Sequence, residues 1–373
     1  MIYLDSAATT LQKPPSVARA AARAIRHMAT PGRGSHPPAM AAASAAFACR
    51  DEAAALFDVP DPEHVVFTSS ATHALNLAIH SLVKPGDTVL ISGYEHNAVT
   101  RPLHAIEAVR IKVARSPLFA PEEILKSFEE QLTGEVSVVI TTHVSNVFGF
   151  ILPVEEIASL CRGRGVPLIV DASQSAGCLS VSLKKWGASF VAVPGHKGLY
   201  GPQGTGLLLC NSPAQPILFG GTGSASRQQD MPGFLPDRLE AGTHNIPGIA
   251  GLLEGLRFVR RVGTDRILAH ERGHLNTLAA GLERIDGCRV LKCTDLRGQT
   301  GVLSFSMSGW DCEELAEQLG RREIAVRAGL HCAPLAHESA GTLESGTVRV
   351  SVSAFTTHED IRRFLLEMGR LAG

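Results

Sequence analysis

Lys197 stands in the run Val191-Ala-Val-Pro-Gly-His-Lys-Gly-Leu-Tyr-Gly-Pro-Gln-Gly-Thr-Gly206, where an apolar, strand-like stretch ends in a glycine-rich turn beside His196. An amine in this context has the setting of a Schiff-base lysine. It can condense with the aldehyde of pyridoxal phosphate (PLP), a cofactor that serves as an electron sink. A lone lysine after a strand is most often a solvated surface residue, so the assignment depends on companions. One is Asp171, which closes the buried-strand pattern Val166-Pro-Leu-Ile-Val-Asp171 with Gln174 three residues on. Ligands of open α/β sheets collect at the carboxyl ends of strands. A carboxylate there can pair with a protonated pyridine nitrogen, with Gln174 in reach of the ring hydroxyl; the plain alternative is a helix N-cap. A phosphate cradle is offered by the strand, small-residue turn and helix of Val65 to Ile79. Helix N-termini present free N–H groups to anions, and here Ala71 would add a backbone donor and Thr72 a hydroxyl.

Further blocks complete a recognisable set: Tyr3-Leu-Asp-Ser-Ala-Ala-Thr-Thr10, Ser70-Ala-Thr72, Glu95-His-Asn97, His143-Val-Ser-Asn146, Asp171 to Gln174, Gly195-His-Lys197, Glu240-Ala-Gly-Thr243 and Arg327-Ala-Gly-Leu-His-Cys-Ala333. In this order they resemble the cysteine desulfurase and selenocysteine lyase family of class V aminotransferase-fold enzymes. The resemblance implies an α/β PLP-dependent transferase of fold type I, aspartate aminotransferase-like, with a large, mostly parallel sheet domain and a smaller C-terminal α/β domain. It also implies roles. Lys197 carries PLP, Asp171 and Gln174 hold the ring, Thr72 and His196 hold the phosphate, His96 stacks on the ring face, and Asn146 sits beside the ring near the substrate. Arg349 matches the position that clamps the substrate carboxylate, a task suited to a planar bidentate donor. Thr243 reaches the cofactor phosphate of a neighbouring subunit, which makes the working unit a homodimer. His36 resembles a residue at the mouth of the active site.

Cys332 decides the reaction. A lone cysteine is usually a small buried hydrophobe, but this one follows His331 and lies near Arg327 in a glycine-containing turn, surroundings that favour a thiolate. A thiolate there can attack the sulfur of cysteine, leaving alanine and a persulfide on Cys332, and the resemblance implies the same role. His96 would help move protons, since imidazole titrates close to working pH. The compact connection around Cys332 resembles the family branch with a short, ordered catalytic loop. Two departures mark a divergent subgroup: Pro194 precedes Gly195 where many relatives carry a serine, removing one phosphate hydrogen bond, and Gly198 is an additional residue between Lys197 and Leu199.

The elements that must position these residues follow from the apolar pattern. Strand-like runs at 65–68, 88–92, 136–142, 167–171, 190–193 and 206–210 alternate with helical segments such as 153–164, which argues for a mostly parallel sheet with helices on both faces. Two alanine-rich helical stretches, 16–28 and 39–57, precede it, and 249–285 reads as helices leading into the C-terminal region. The expected division is 15–250 for the large PLP-binding domain and 251–373 for the small one, with residues 1–14 packing against the latter. A chain of 373 residues with 45% hydrophobic content supports a substantial core. The net charge of −1 provides no electrostatic footprint for nucleic acid. No run reaches membrane-span length and the N-terminus lacks a signal-peptide start, so a cytoplasmic enzyme is expected. Its eight cysteines form no Cys-x-x-Cys pair, which points to reduced thiols and no structural zinc.

Three activities stay open on these residues. The leading one is removal of sulfur from L-cysteine, with delivery to an acceptor protein. L-Selenocysteine is the second substrate, and needs Cys332 less because selenium leaves more readily. A class V aminotransferase or lyase acting on another amino acid is the third, and would keep its products after Cys332→Ala. A noncatalytic PLP-fold subunit is disfavoured by the intact lysine and cysteine.

Overall fold

The computed structural model describes residues 1–32 and 34–373. The first part of the chain runs β1 (Ile2–Tyr3), α1 (Pro15–His27), α2 (Pro37–Phe57), β2 (Val65–Thr68), α3 (Ala71–Leu82), β3 (Thr88–Ser92), α4 (Asn97–Ala105), β4 (Arg110–Ala114), α5 (Pro121–Gln131), β5 (Val136–Thr142), α6 (Val154–Arg164), β6 (Leu168–Asp171), α7 (Leu183–Trp186), β7 (Phe190–Pro194) and β8 (Gly206–Cys210). It continues through α8 (Ile246–Val262), α9 (Thr264–Leu282), β9 (Cys288–Leu291), β10 (Val302–Met307), α10 (Cys312–Arg321), β11 (Ile324–Ala325), β12 (Arg327–Gly329), α11 (Pro334–Ala340), β13 (Thr347–Ser351) and α12 (His358–Ala372).

Seven strands form one sheet in the order β2-β8-β7-β6-β5-β3-β4. Pairing is parallel from β7 across to β4, and antiparallel only where β8 lies between β2 and β7. Strands β3, β6, β7 and β8 are buried along their whole length. That is why they read as continuous Val/Ile/Leu runs rather than alternating ones: helices cover both faces of the sheet. One face carries a core built from residues such as Phe57, Val139, Val170, Val191, Leu209 and Leu256, and the other a core around Leu75, Ile91, Ile140, Ile169 and Leu208. The edge strand β4, Arg-Ile-Lys-Val-Ala, escapes the sequence pattern because only its last residue is buried.

A third core gathers Leu275, Leu278, Leu303, Phe305, Leu315, Val348, Val350, Ile361 and Phe364, together with Ile2 and Leu4 from the N-terminus. Its antiparallel sheet has the order β12-β13-β10-β9, and β1 pairs in parallel with β11. Leu252, Leu253, Leu256 and Val259 of α8 bury into the first core, against α1 and α2, rather than into the third. Gly263, with φ +91°, separates α8 from α9.

Candidate active site

The parallel register sets Thr142 opposite Asp171, and Asp171 opposite Ala192, so that the carboxyl ends of β5, β6 and β7 bring Asp171 and the Lys197 turn side by side. Around them lies a cavity of about 230 Å³ lined by Ser70, Ala71, Thr72, His96, Asn146, Asp171, Gln174, Pro194, His196 and Lys197. Every residue expected to hold the cofactor within one chain is therefore in one wall system. Ser70 caps α3, its hydroxyl accepting the His73 N–H at 3.2 Å, so the start of that helix faces the cavity.

Electrostatics here follows burial. The Lys197 ammonium donates no hydrogen bond among the described residues, and burial lowers its pKa to about 8 against the opposing pull of Asp171. Asp171 is 3% exposed, with Oδ1 accepting the Ser173 N–H at 2.9 Å and Oδ2 without a protein partner among the described residues. Burial, reinforced by the Lys197 charge, pushes His96 down to about 4, and its Nδ1 accepts the Ala98 N–H at 3.0 Å. The neutral ring therefore carries its proton on Nε2 as a hydrogen-bond donor, and burial takes it out of the titration near working pH that the sequence suggested for it. Burial likewise lowers His196 to about 4. The Gln174 amide donates to Ala7 O at 3.0 Å, which leaves its own oxygen as an acceptor.

A second cavity, of about 680 Å³, shares Ser70, His96, Asn146, His196 and Lys197 with the first and opens past Arg327, His331, Cys332 and Arg349. Cys332 is exposed, whereas four of the other seven free cysteines are buried and three half-buried. It lies in the short connection between β12 and α11, where His331 and Cys332 both adopt left-handed backbone, φ +49° and +56°. Such conformations cost a non-glycine residue roughly 1 kcal/mol or more each. They are held by tethers from the start of α4 and the segment after β5: the Asn97 N–H donates to Cys332 O at 2.7 Å and the Asn146 amide to His331 O at 2.8 Å.

Two expectations change. His331 does not support a thiolate, because its ring is buried against Thr347, with Nε2 3.2 Å from that residue's carbonyl, and burial drives its pKa to about 2. Arg327 remains as the cation whose field Cys332 shares. His36 is not in the wall of either cavity; it is exposed and caps α2, its Nδ1 accepting the Ala39 N–H at 3.4 Å. Thr243 lies in a separate, largely apolar cavity of about 460 Å³ with Phe67, Leu218, Leu239 and Ile249. Its loop is anchored by Glu240, which pairs with Arg50 at 2.7 Å, accepts the Phe67 N–H at 2.6 Å and contacts His244 at 2.6 Å.

Three contributors carry no sequence signal beyond lying in or beside the quoted blocks. Asp5 sits between Arg327 and Arg349, 2.8 Å from Nη2 of the first and 3.0 Å from Nη2 of the second. Thr10 donates its hydroxyl to His196 O at 3.1 Å and receives the Lys13 ammonium at 2.8 Å, fastening the N-terminal segment to the lysine turn. Glu95 is fully buried beneath the site, with Oε1 accepting from the Ser92 hydroxyl and the Thr142 N–H. Gly198 packs on Gly177, whose Cβ, if it had one, would lie 2.0 Å from Gly198 O; only glycine fits at 177. Pro194 faces the inner cavity, so this position offers no hydrogen-bond donor.

The class-V aminotransferase family model matches residues 2–364. The chain belongs to the class-V aminotransferase family. A probable cysteine desulfurase of Xylella fastidiosa is 35% identical, the match covering all of this chain and 92% of that protein. A probable cysteine desulfurase of Methanothermobacter thermautotrophicus is 31% identical over all of this chain and 95% of its own. Among solved structures, the apo cysteine desulfurase of Thermococcus onnurineus superposes with a TM-score of 0.90 at 30% identity, covering all of this chain and 94% of that one. The Escherichia coli cysteine desulfurase CsdA does so at 0.85 and 25% identity, with the same coverage. The family is PLP-dependent, and the cavity suits such a group: an amine without a partner, a buried carboxylate oxygen left open, and a helix start lie around one space. No helix among the described residues is long and apolar enough to cross a membrane.

Proposed function

We propose that this chain is a PLP-dependent cysteine desulfurase that converts L-cysteine to L-alanine and passes the sulfur through a persulfide on Cys332. The observation that carries the reading is the continuity of two cavities: the free amine of Lys197 and the open oxygen of Asp171 share one, and the exposed thiol of Cys332 borders its extension. When bound, the cofactor supplies an electron sink beside the substrate α-carbon. Asp171 would hold its ring nitrogen, Gln174 its ring hydroxyl, His96 its face, and Ala71, Thr72 and His196 its phosphate.

The remaining work falls to the chain's own side chains. Lys197, with an amine pKa near 8, has a substantial neutral fraction at physiological pH and can take the α-proton. Arg349 presents a buried guanidinium to the substrate carboxylate, its Nη1 already oriented by Asn146 O at 2.9 Å. Asn146 thus couples carboxylate recognition to the Cys332 backbone through its second contact, at His331 O. The Cys332 thiolate attacks the substrate sulfur. The new S–S bond forms as the C–S bond breaks, the electron pair stays with the β-carbon, and that carbon takes a proton to become the methyl group of alanine. His96, kept neutral by burial, offers its Nε2–H to the reacting group as a hydrogen-bond donor, and the proton itself comes from Lys197, which took the α-proton.

We further read the protein as a cytoplasmic homodimer in which Thr243 completes the partner's phosphate site, with an acceptor protein taking the sulfur. The exposed Leu218 and Phe219 near the Thr243 cavity and the absence of any disulfide among the described residues support this reading. The deciding experiment incubates PLP-loaded protein with L-cysteine or L-selenocysteine and measures alanine with sulfide or selenide. Cys332→Ala should cut alanine release from cysteine by about 100-fold or more, as removal of an activated nucleophile does, with a smaller loss for selenocysteine. Unchanged release from cysteine in the variant would defeat the persulfide reading.

A further inference from the structure

A small chamber of about 40 Å³ shares Lys197 with both cavities of the candidate site but faces the C-terminal unit. Its wall includes Glu271 of α9, Gly301 ahead of β10 and Ser353 after β13, together with Gly198 and Tyr200 of the lysine turn. Glu271 is 8% exposed, and its carboxyl makes no hydrogen bond among the described residues. The other buried acid, Glu95, has one oxygen that accepts two hydrogen bonds and one that is sealed off without a partner. Neither oxygen of Glu271 is sealed in this way. The neighbouring cation, Arg272, is turned away, donating Nε to Gln299 O at 2.9 Å and Nη2 to Arg297 O at 2.6 Å. Burial alone raises Glu271 to about 8, with no contribution from the Lys197 charge. Near neutral pH the carboxyl is therefore an acid, with an O–H to donate and a C=O to accept.

The same wall holds two unused donors. The Tyr200 hydroxyl accepts the Ala354 N–H at 3.0 Å and the Ser353 hydroxyl accepts the Phe355 N–H at 3.2 Å, but neither O–H has an acceptor among the described residues. Nor does either reach Glu271 directly. Polar groups that face one space without touching are joined by water, and a chamber of this size has room for about two or three molecules. Gly301 keeps that space open, since a Cβ there would fall 3.0 Å from Glu271 Oε2. From Tyr200 the path to the active amine is short: its N–H donates to Lys197 O at 2.9 Å within one turn.

We propose that the chamber is a resident water site and that Glu271 is a positioning residue, holding about two or three waters that fasten the lysine turn, through Tyr200, to α9. The C-terminal unit thereby helps to aim a lysine carried by the other unit. The functional consequence rests on the reading of Lys197 as the cofactor-bearing amine, whose backbone the waters hold in place.

The test uses the full chain loaded with PLP, with the dissociation constant of the cofactor read from visible absorption at pH 7. Glu271→Gln keeps a donor and an acceptor and should bind PLP within about twofold of wild type. Glu271→Leu, of similar volume, offers the waters nothing and should weaken binding about fivefold, as loss of one hydrogen bond does. A role as mere wall filling would be met by Leu as well as by Gln. Leu binding as tightly as wild type, or Gln as weakly as Leu, overturns the proposal. Tyr200→Phe cuts the link at its other end, so adding it to Glu271→Leu should cost less than about twofold more, and a full product of the two single losses overturns the shared link. Should the Leu variant not fold, a crystal structure of the loaded wild type decides alone. Waters should lie within about 3.2 Å of both the Glu271 carboxyl and the Tyr200 hydroxyl, and a chamber without them overturns the proposal. Failure of the cofactor reading appears separately, as no visible absorption in the loaded wild type, and failure of the desulfurase reading as no alanine from cysteine.

Discussion

The two halves of the site are built on opposite principles. Lys197 and Asp171 stand at the ends of buried parallel strands, where register fixes their positions and burial sets their charge. Cys332 stands on an exposed connection belonging to the C-terminal unit, in left-handed backbone held by hydrogen bonds from Asn97 and Asn146 of the other unit. The cofactor half needs a dry environment that makes an amine basic at working pH without keeping it protonated. On the proposed reading the nucleophile half needs access, because a persulfide on Cys332 would have to be handed on. A buried thiol would be the wrong device: Cys49, Cys161 and Cys210 are pushed up to about 12 or beyond by burial and are poor nucleophiles at neutral pH.

The largest effect expected from breaking the buried half is that of Lys197→Ala, which should abolish the visible absorption of the loaded protein and lower turnover by at least about 1000-fold. Retention of both would remove the lysine from the mechanism. Glu95 sharpens the contrast through stability. Burial raises its pKa from 4.5 to about 8, so the unfolded chain gives up this proton first. Its contribution is complete below about pH 4.5 and declines as pH rises toward 8. Glu95→Gln, isosteric with the protonated acid, should therefore gain stability relative to the wild type between pH 5 and pH 8 by on the order of a few kcal/mol in chemical denaturation. A pH-independent difference would show that Glu95 is ionised in the fold.

A third effect is kinetic. With Lys197 titrating near 8 in the cofactor-free protein, its neutral fraction rises about tenfold from pH 7 to pH 9. The rate of reloading apoprotein with PLP should follow and flatten above pH 9; a rate still climbing steeply at pH 10 would mean an ordinary, solvated lysine. The smallest effect tests the tether of the exposed half. Asn146→Ala removes the hydrogen bond to His331 O, worth about 1 kcal/mol, and should slow sulfur transfer to Cys332 by about fivefold, measured as the single-turnover rate of persulfide formation. A loss no greater for persulfide formation than for α-proton exchange would place the role of Asn146 wholly at the substrate.

What could be read along the chain was local. Strands such as Val136–Thr142 announced themselves as apolar runs, and the chemistry-bearing residues followed at their ends, as Asp171 and the turn of Lys197 do. The edge strand Arg110–Ala114 did not, because charged side chains interrupt its pattern where the sheet meets solvent. Neither the orientation of His331 nor the exclusion of His36 from the cavities was legible, since each depends on which way a ring turns against residues distant in the chain.

The residue types and their spacing by themselves determined the α/β architecture and the strand ends, because periodicity and turn chemistry are properties of neighbouring residues, while the lysine, aspartate and cysteine set rested on the resemblance of several motifs to one family. Only the tertiary structure decided that Asp5 meets Arg349 across 344 positions, that the α8 side chains belong to the large core, and that a thiol on one unit is held in place by the backbone and an amide of the other. Those contacts arise from packing between distant segments, and no local pattern encodes which side chains packing will bring together.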